Sequence, residues 1–545
     1  MHVADLTVVI VEKILQMAVE SHGDRAYTWK YKFPFLAICS EWRQLALRMV
    51  YRDAFAEGML QYNSEASPAA STVMFSTNID LITALGYSHY VRSLFICLDE
   101  SRFILPFVKE MPLLFAFESN RWDRVETLWL NLYQSIVEDN ADLERDGAEV
   151  EEMASLIIAH MPHVTRLRLD SDGEPAVLSA GVKSKLLGRY ASQLAYLKSG
   201  CSIAHGFGSF SDELAYLELR IDHSSLPLMP KVNPQTLQKL VLVEIPSHFS
   251  WSYFATTSGE HPNEVNFKNL SVLEMFFAGM PEEIEQNPFG LNDSRLEQSH
   301  NPYAVGFPKL QHLGIVNYPP DAQLSFVADY PEKMRKITLR YSFVPPSVFA
   351  SSKISEISIL DMTLYYAQLD YASEFYALTN HLMGSSVAIT KRSSLMLSYA
   401  EFDLDMNQCK WSNITVLRLM SQVSYETLEA IVRQLLHLER LAIYELTFSE
   451  QTWQHVADDD MSLDLEDHTM ERVTPWKTTL EHLDILSLAY VSCPDTVALC
   501  LKRFILHVMT LRSLHINGCA AIGLSDFVGV FKPHYPHLSQ IMLGG

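Results

Sequence analysis

The sequence predicts an α/β fold, an irregular solenoid of strand–helix units bent into a horseshoe, behind a short helical head. Three observations carry this expectation. An aliphatic frame, spaced by three and then by two, recurs from about residue 90 onward. Several copies stand 20 to 27 residues apart, as from Met334 to Ile354 and from Leu511 to Leu538. The first sixty residues instead carry helical periodicity.

Within the head, residues 5–20 place Ile10, Ile14 and Met17 on one helical face, with Val11, Leu15 and Val19 beside them. Thr7 or Asp5 would cap this helix. A second segment, residues 33–55, has Pro34 near its start and repeats Ile38, Trp42, Leu45 and Met49 at helical spacing. Two such helices bury too little surface to stand alone, so they need a partner or a docked neighbour.

The stretch LTVVIVEKI at Leu6–Ile14 resembles the opening of an F-box, a Leu-Pro pair followed by aliphatics and an Ile one turn later. FLAICSEWRQLA at Phe35–Ala46 resembles its second half, through Ile38, Cys39, Trp42, Leu45 and Ala46. Thr7 stands where Pro is usual and Val9 where an acidic residue is usual, and residues 21–32 lengthen the middle. The likeness is greatest to the F-box-like heads of fungal proteins. It implies docking onto a Skp-type adaptor, and through it onto a cullin–RING ubiquitin ligase. Carried over by position, the adaptor contacts are Leu6, Ile10, Val11, Ile14, Ile38 and Trp42. Read from the residues alone, the same side chains form the core of a helical cap over the end of the solenoid.

The repeating frame begins as VRSLFI (91–96), VETLWL (125–130), VTRLRL (164–169), LAYLEL (214–219) and LQKLVL (237–242). It continues as LSVLEM (270–275), LQHLGI (310–315), MRKITL (334–339), ISEISI (354–359) and ITVLRL (414–419). The last copies are LERLAI (438–443), LDILSL (483–488), LRSLHI (511–516) and LSQIML (538–543). Pro162, Pro308 and Pro536 each stand two residues ahead of a frame, where proline ends a helix and starts an extended segment. In LRSLHINGC, Cys519 falls where such units turn, and the pattern resembles the cysteine-containing class of leucine-rich repeat.

Alternation within a frame sends the aliphatics inward and the intervening residues outward on a short strand. Residues 425–437 and 494–509 carry helical periodicity between frames. Units that cannot close a core alone stack into a curved array whose strands line the concave side. Arg166, Arg168, Glu218, Arg418 and His515 are then concave-face candidates. A doubly wound sheet is the alternative fold, but no G-x-G-x-x-G or Walker loop is present.

The expected organisation is a helical F-box-like domain over 1–60, a linker and the start of the repeats over 61–90, and leucine-rich repeats over 91–545. The acidic or polar stretches 138–152, 280–306 and 457–470 read as loops or insertions.

Composition narrows the function. A net charge of -23, from 42 basic against 65 acidic residues, disfavours nucleic acid and anionic membranes. No run of about 18 apolar residues suggests a membrane span. The seven scattered cysteines form no C-x-x-C pair, which fits reduced thiols in a cytoplasmic or nuclear protein without zinc or disulfides. Neither a G-x-S-x-G elbow nor an H-E-x-x-H helix occurs, and His312, His437, His482, His515 and His537 lie in or beside frames. The sequence therefore suggests a binding protein with no catalytic, cofactor or metal site, and the F-box resemblance implies that it is an SCF-type substrate receptor for an unidentified client protein. The alternative is a repeat scaffold with no ligase role.

Overall fold

The computed structural model describes residues 13, 17, 36–37, 40–61, 72–98, 107, 109–112, 115, 121–132, 143–170, 177–202, 209–221, 231–246, 249, 251, 264–278, 303–318, 326–340, 349, 353–365, 372–398, 404–448, 474–490, 494–517 and 538–543. The chain divides into two compact units, Met1–Phe267 and Lys268–Gly545. Each is an α/β unit built on a mostly parallel sheet.

In the first unit, helix α1 (Ser40–Val50) leads into strand β1 (Asp53–Gln61). β1 pairs antiparallel with β2 (Thr72–Thr77), and after the short helix α2 (Ile79–Ala84) the chain returns as β3 (Ser93–Leu98), parallel to β1. The next strands join one after another, each parallel to its predecessor. They are β4 (Thr127–Leu132), β5 (Arg166–Asp170), β6 (Tyr196–Ser202), β7 (Tyr216–Arg220) and β8 (Lys239–Ile245). Helices α3 (Leu143–His160) and α4 (Val177–Tyr190), which precede β5 and β6, pack on each other. Strand β9 (Glu264–Asn266) lies near the unit's end.

The inward aliphatics stand in register. Leu94, Leu128, Leu167, Leu197, Leu217 and Leu240 form one fully buried row across β3 to β8. Each buried leucine contributes about 1.5–3 kcal/mol. Strand starts repeat as well. The Arg92 carbonyl accepts from the N–H groups of both Glu126 and Thr127, Glu126 from Thr165 and Arg166, and Thr165 from Ala195 and Tyr196. The same two-to-one bond introduces β7 and β8, from the carbonyls of Ala195 and Ala215. No reversal of strand order of the doubly wound kind occurs along this run.

The second unit repeats the plan with β10 (Val272–Phe277), β12 (His312–Val316), β14 (Lys333–Arg340), β15 (Glu356–Tyr365), β16 (Ala388–Ser398), β17 (Val416–Ser424), β18 (Arg440–Phe448), β19 (His482–Tyr490), β20 (Ser513–Ile516) and β21 (Gln540–Leu543). All pair in parallel, in that order. Short strands β11 (Tyr303–Gly306) and β13 (Phe326–Asp329) pair separately. Helices α5 (Ala372–Met383), α6 (Tyr425–Gln434) and α7 (Pro494–His507) occupy connections, the last two where the periodicity predicts them. Ser424 caps α6 by accepting from the Thr427 N–H at 3.2 Å.

Four expectations are corrected. The frame expected at 483–488 lies three residues earlier: Leu480, Leu483 and Ile485 are fully buried, whereas Leu486 is 40% exposed. Sheet register decides this, because Leu483 stands opposite Leu441 and Ile485 opposite Ile443. The frame expected at 354–359 lies three residues later: Ile357, Leu360 and Met362 are fully buried, opposite Met334, Ile337 and Leu339 of β14, so Ile359 leaves the core. The acidic stretch 138–152 is not loop throughout, because residues from Leu143 belong to α3. The buried stripe Met153, Ala154, Ile157 and Met161 recruits the preceding residues, and acidic groups suit a helix N-terminal end. Finally, β1 begins at Asp53, so sheet already occupies the end of the stretch 1–60 read as helical.

Candidate functional site

Every inward aliphatic on a strand leaves its neighbours on the opposite, open face. In the first unit this face is a connected lattice. One row, in register, reads Phe95, Trp129, Arg168, Lys198, Glu218 and Val241 across β3 to β8. The adjoining row reads Thr127, Arg166, Tyr196, Tyr216 and Lys239 across β4 to β8.

Phe95 meets the Trp129 ring edge-on at 5.2 Å, and the Arg168 guanidinium lies 3.8 Å from the same ring's centroid. Asp170 ties both together: its Oδ2 accepts from Trp129 Nε1 at 2.7 Å and pairs with Arg168. Lys198 Nζ stands 2.7 Å from Glu218 Oε1, while the Tyr216 hydroxyl donates to Glu218 Oε2 at 2.7 Å. Burial, then the bond to Glu218 and its charge, push the Tyr216 hydroxyl well above the ordinary tyrosine range, so it remains a donor. Tyr196 and Tyr216 stack at 4.1 Å and 16°. At the far end Arg220 pairs with Glu244, which holds a left-handed backbone (φ 56°) that costs about 1 kcal/mol for a residue other than glycine.

Two carboxylates, Asp170 and Glu218, are thus each engaged by two donors. They serve as anchors that fix neighbouring side chains, which suits a preorganised binding surface. Along β5 to β8 this face carries Arg166, Arg168, Lys198, Arg220 and Lys239 against Asp170, Glu218 and Glu244, a cationic balance in a chain of net charge -23.

The second unit's open face is sparser. Ser394 donates to Asp361 at 2.8 Å, Arg340 stands 3.7 Å from Asp361, and His515 stands 3.8 Å from Asp484. Tyr444 and Leu486 lie on neighbouring strands, 51% and 40% exposed. Among the described residues no group of three or more His, Cys, Asp or Glu is placed to hold a metal ion. No helix among them is long and apolar enough to cross a membrane.

Of the concave-face candidates, Arg166, Arg168 and Glu218 come together in the first unit's lattice, while Arg418 and His515 stand on β17 and β20 of the second. Of the adaptor contacts, Leu6, Ile10, Val11, Ile14 and Ile38 lie outside the described residues; Trp42 belongs to α1, its side chain outside the description. Nearby on α1, Ala46, Leu47 and Val50 are buried, Leu45 and Met49 half-buried, and Arg43, Gln44 and Arg48 exposed.

Frame-by-frame reading misses Trp129, Lys198, Tyr196, Tyr216 and Lys239. Aligning VETLWL, VTRLRL, LAYLKS, LAYLEL and LQKLVL column by column reveals them: Thr, Arg, Tyr, Tyr, Lys in the third column and Trp, Arg, Lys, Glu, Val in the fifth. The copy at 194–199 escapes an aliphatic search because buried Ser199 takes its last core position. No protein-family model and no curated protein matches this sequence.

Proposed function

We propose that this chain is the substrate-recognition adaptor of an SCF-type cullin–RING ubiquitin ligase. In this reading it is a leucine-rich-repeat horseshoe with an F-box-like head. The head docks on a Skp-type adaptor through Leu6, Ile10, Val11, Ile14, Ile38 and Trp42, and the open strand face holds a client protein. No covalent chemistry falls to the chain. It raises the client's effective concentration beside the ubiquitin-charged enzyme, in the cytoplasm or nucleus.

The observation that carries this reading is the division of faces on α1. Ala46, Leu47 and Val50 are taken up by the fold, whereas Leu45 and Met49, at helical spacing from Trp42, stay half-buried. Leu45, one of the F-box-like residues, thus lies among those that are partly exposed on α1. The preorganised lattice on β3 to β8 supports the client-binding half of the proposal.

A second reading, a repeat scaffold with no ligase role, is favoured by the same buried trio, which lets α1 act as a buttress for the sheet that starts at β1. Tagged chain purified from its native cells discriminates the two by mass spectrometry. The ligase reading predicts stoichiometric recovery of a Skp-type adaptor and a cullin, lost in the variant Trp42→Ala with Ile14→Asp. Absence of both subunits from the wild-type preparation sinks it.

A further inference from the structure

Arg166 and Lys239 bracket the Tyr196–Tyr216 stack in a single register row, Arg166 at 5.1 Å from the Tyr196 ring centroid and Lys239 at 5.3 Å from that of Tyr216. The other three cations of this face are each paired with a carboxylate: Arg168 with Asp170, Lys198 with Glu218, Arg220 with Glu244. Among the described residues neither Arg166 nor Lys239 has a carboxylate partner. The tyrosine stack is therefore flanked by two cations held against aromatic rings and, among the described residues, not paired with a carboxylate.

Three strand spacings separate β5 from β8, roughly 14 Å at about 4.8 Å each. An extended peptide rises about 3.3 Å per residue, so side chains four residues apart stand roughly 13 Å apart. Being an even number apart, they also point to the same side. We infer that this row binds an extended acidic segment of a partner protein, crossing the strands with carboxylates at positions i and i+4 on Arg166 and Lys239. Its intervening residues lie against the edges of the tyrosine pair. Charge complementarity selects this occupant: two discrete positive ends match two discrete negative groups. A continuous polyanion such as single-stranded nucleic acid would meet Glu218 and Asp170 in the adjoining rows.

The proposal rests on the reading that the open strand face is the client surface, and not on the ligase connection. The test is fluorescence anisotropy with full-length protein and a labelled nonapeptide of serine and threonine carrying glutamates at its third and seventh residues. That peptide is expected to bind, less tightly in high salt. Arg166→Ala and Lys239→Ala should each weaken it about tenfold, as loss of a charge-assisted contact implies. The pair Arg166→Glu with Lys239→Glu should switch preference to the lysine-bearing analogue. Both positions are on the open face, and an unchanged thermal melt of the variants establishes that the fold is intact. The proposal is overturned if no acidic peptide binds, if glutamates two residues apart bind equally well, if the variants bind unchanged, or if only oligothymidine binds. Adaptor binding measured on the same preparations separates the two ideas: peptide binding without adaptor binding removes the ligase reading and leaves this one standing.

Discussion

Glu429 on α6 and Arg503 on α7 face each other at 3.5 Å, their side chains only 7% and 8% exposed. Arg433 reaches the same carboxylate at 3.4 Å, and the Tyr425 hydroxyl donates to the Cys500 carbonyl at 2.8 Å alongside. Two helices of the second unit are thus joined by a buried ion pair. Removing one member leaves the other charged and buried, so Glu429→Ala should cost about 3–5 kcal/mol in chemical denaturation. Replacing both, Glu429→Leu with Arg503→Met, should restore much of that loss. A double variant no more stable than Glu429→Ala alone would contradict the pairing.

Sheet register gives a second expectation. Leu483→Ala opens a cavity in the row shared with Leu441 and should cost about 2–5 kcal/mol. Leu486→Ala, three residues on, should change stability by no more than about 0.5 kcal/mol because its side chain already faces solvent. Equal effects in denaturant unfolding would mean that β19 is shifted in its pairing.

A third expectation concerns acid. His381, near the end of α5 and 6.5 Å from the Phe349 ring, is held below the ordinary histidine value of 6.5 by burial. Burial lowers His160 in the same way. The unfolded chain therefore binds these protons first, and stability rises with pH through this range. Their contribution is complete above about pH 6.5 and is lost as pH falls through the lowered folded values. Unfolding followed from pH 7 down to pH 5 should show the loss, and His381→Phe should reduce it. An unchanged slope in that variant would contradict the assignment.

Cys409 supplies a fourth. Burial, then the charge of Asp405, push its thiol up to about 12. Only the thiolate attacks alkylating reagents. In native protein at pH 8, peptide mapping after iodoacetamide treatment should find Cys409 largely unmodified, and urea should expose it. Rapid native alkylation would mean the thiol is more open than this packing allows.

Much of the fold is legible in the sequence because each strand must place aliphatics inward at the same two positions. Leu167, Leu217 and Leu313 announce themselves by spacing alone. Where a polar residue takes a core position the signal vanishes. Ser199 hides β6, and Ser393, at the inward position opposite Leu360, hides the frame of β16; its hydroxyl accepts from the Thr415 N–H at 3.0 Å and donates to the Asn413 carbonyl. Leu480, Leu483 and Leu486 fit two frames equally, and only pairing with β18 chooses between them. The open-face lattice was less legible still. Arg168, Trp129 and Asp170 are separated by one strand or by two residues, and nothing local marks them as partners until consecutive frames are laid side by side.

The central claim, that this chain links a client to a ubiquitin ligase, is tested most directly by calorimetric titration of the purified full-length protein with a purified Skp-type adaptor. The account predicts a saturable one-to-one complex that disappears in the Trp42→Ala, Ile14→Asp variant while Arg166→Ala leaves it intact. No measurable heat of binding, or a complex indifferent to Trp42 and Ile14, would contradict it.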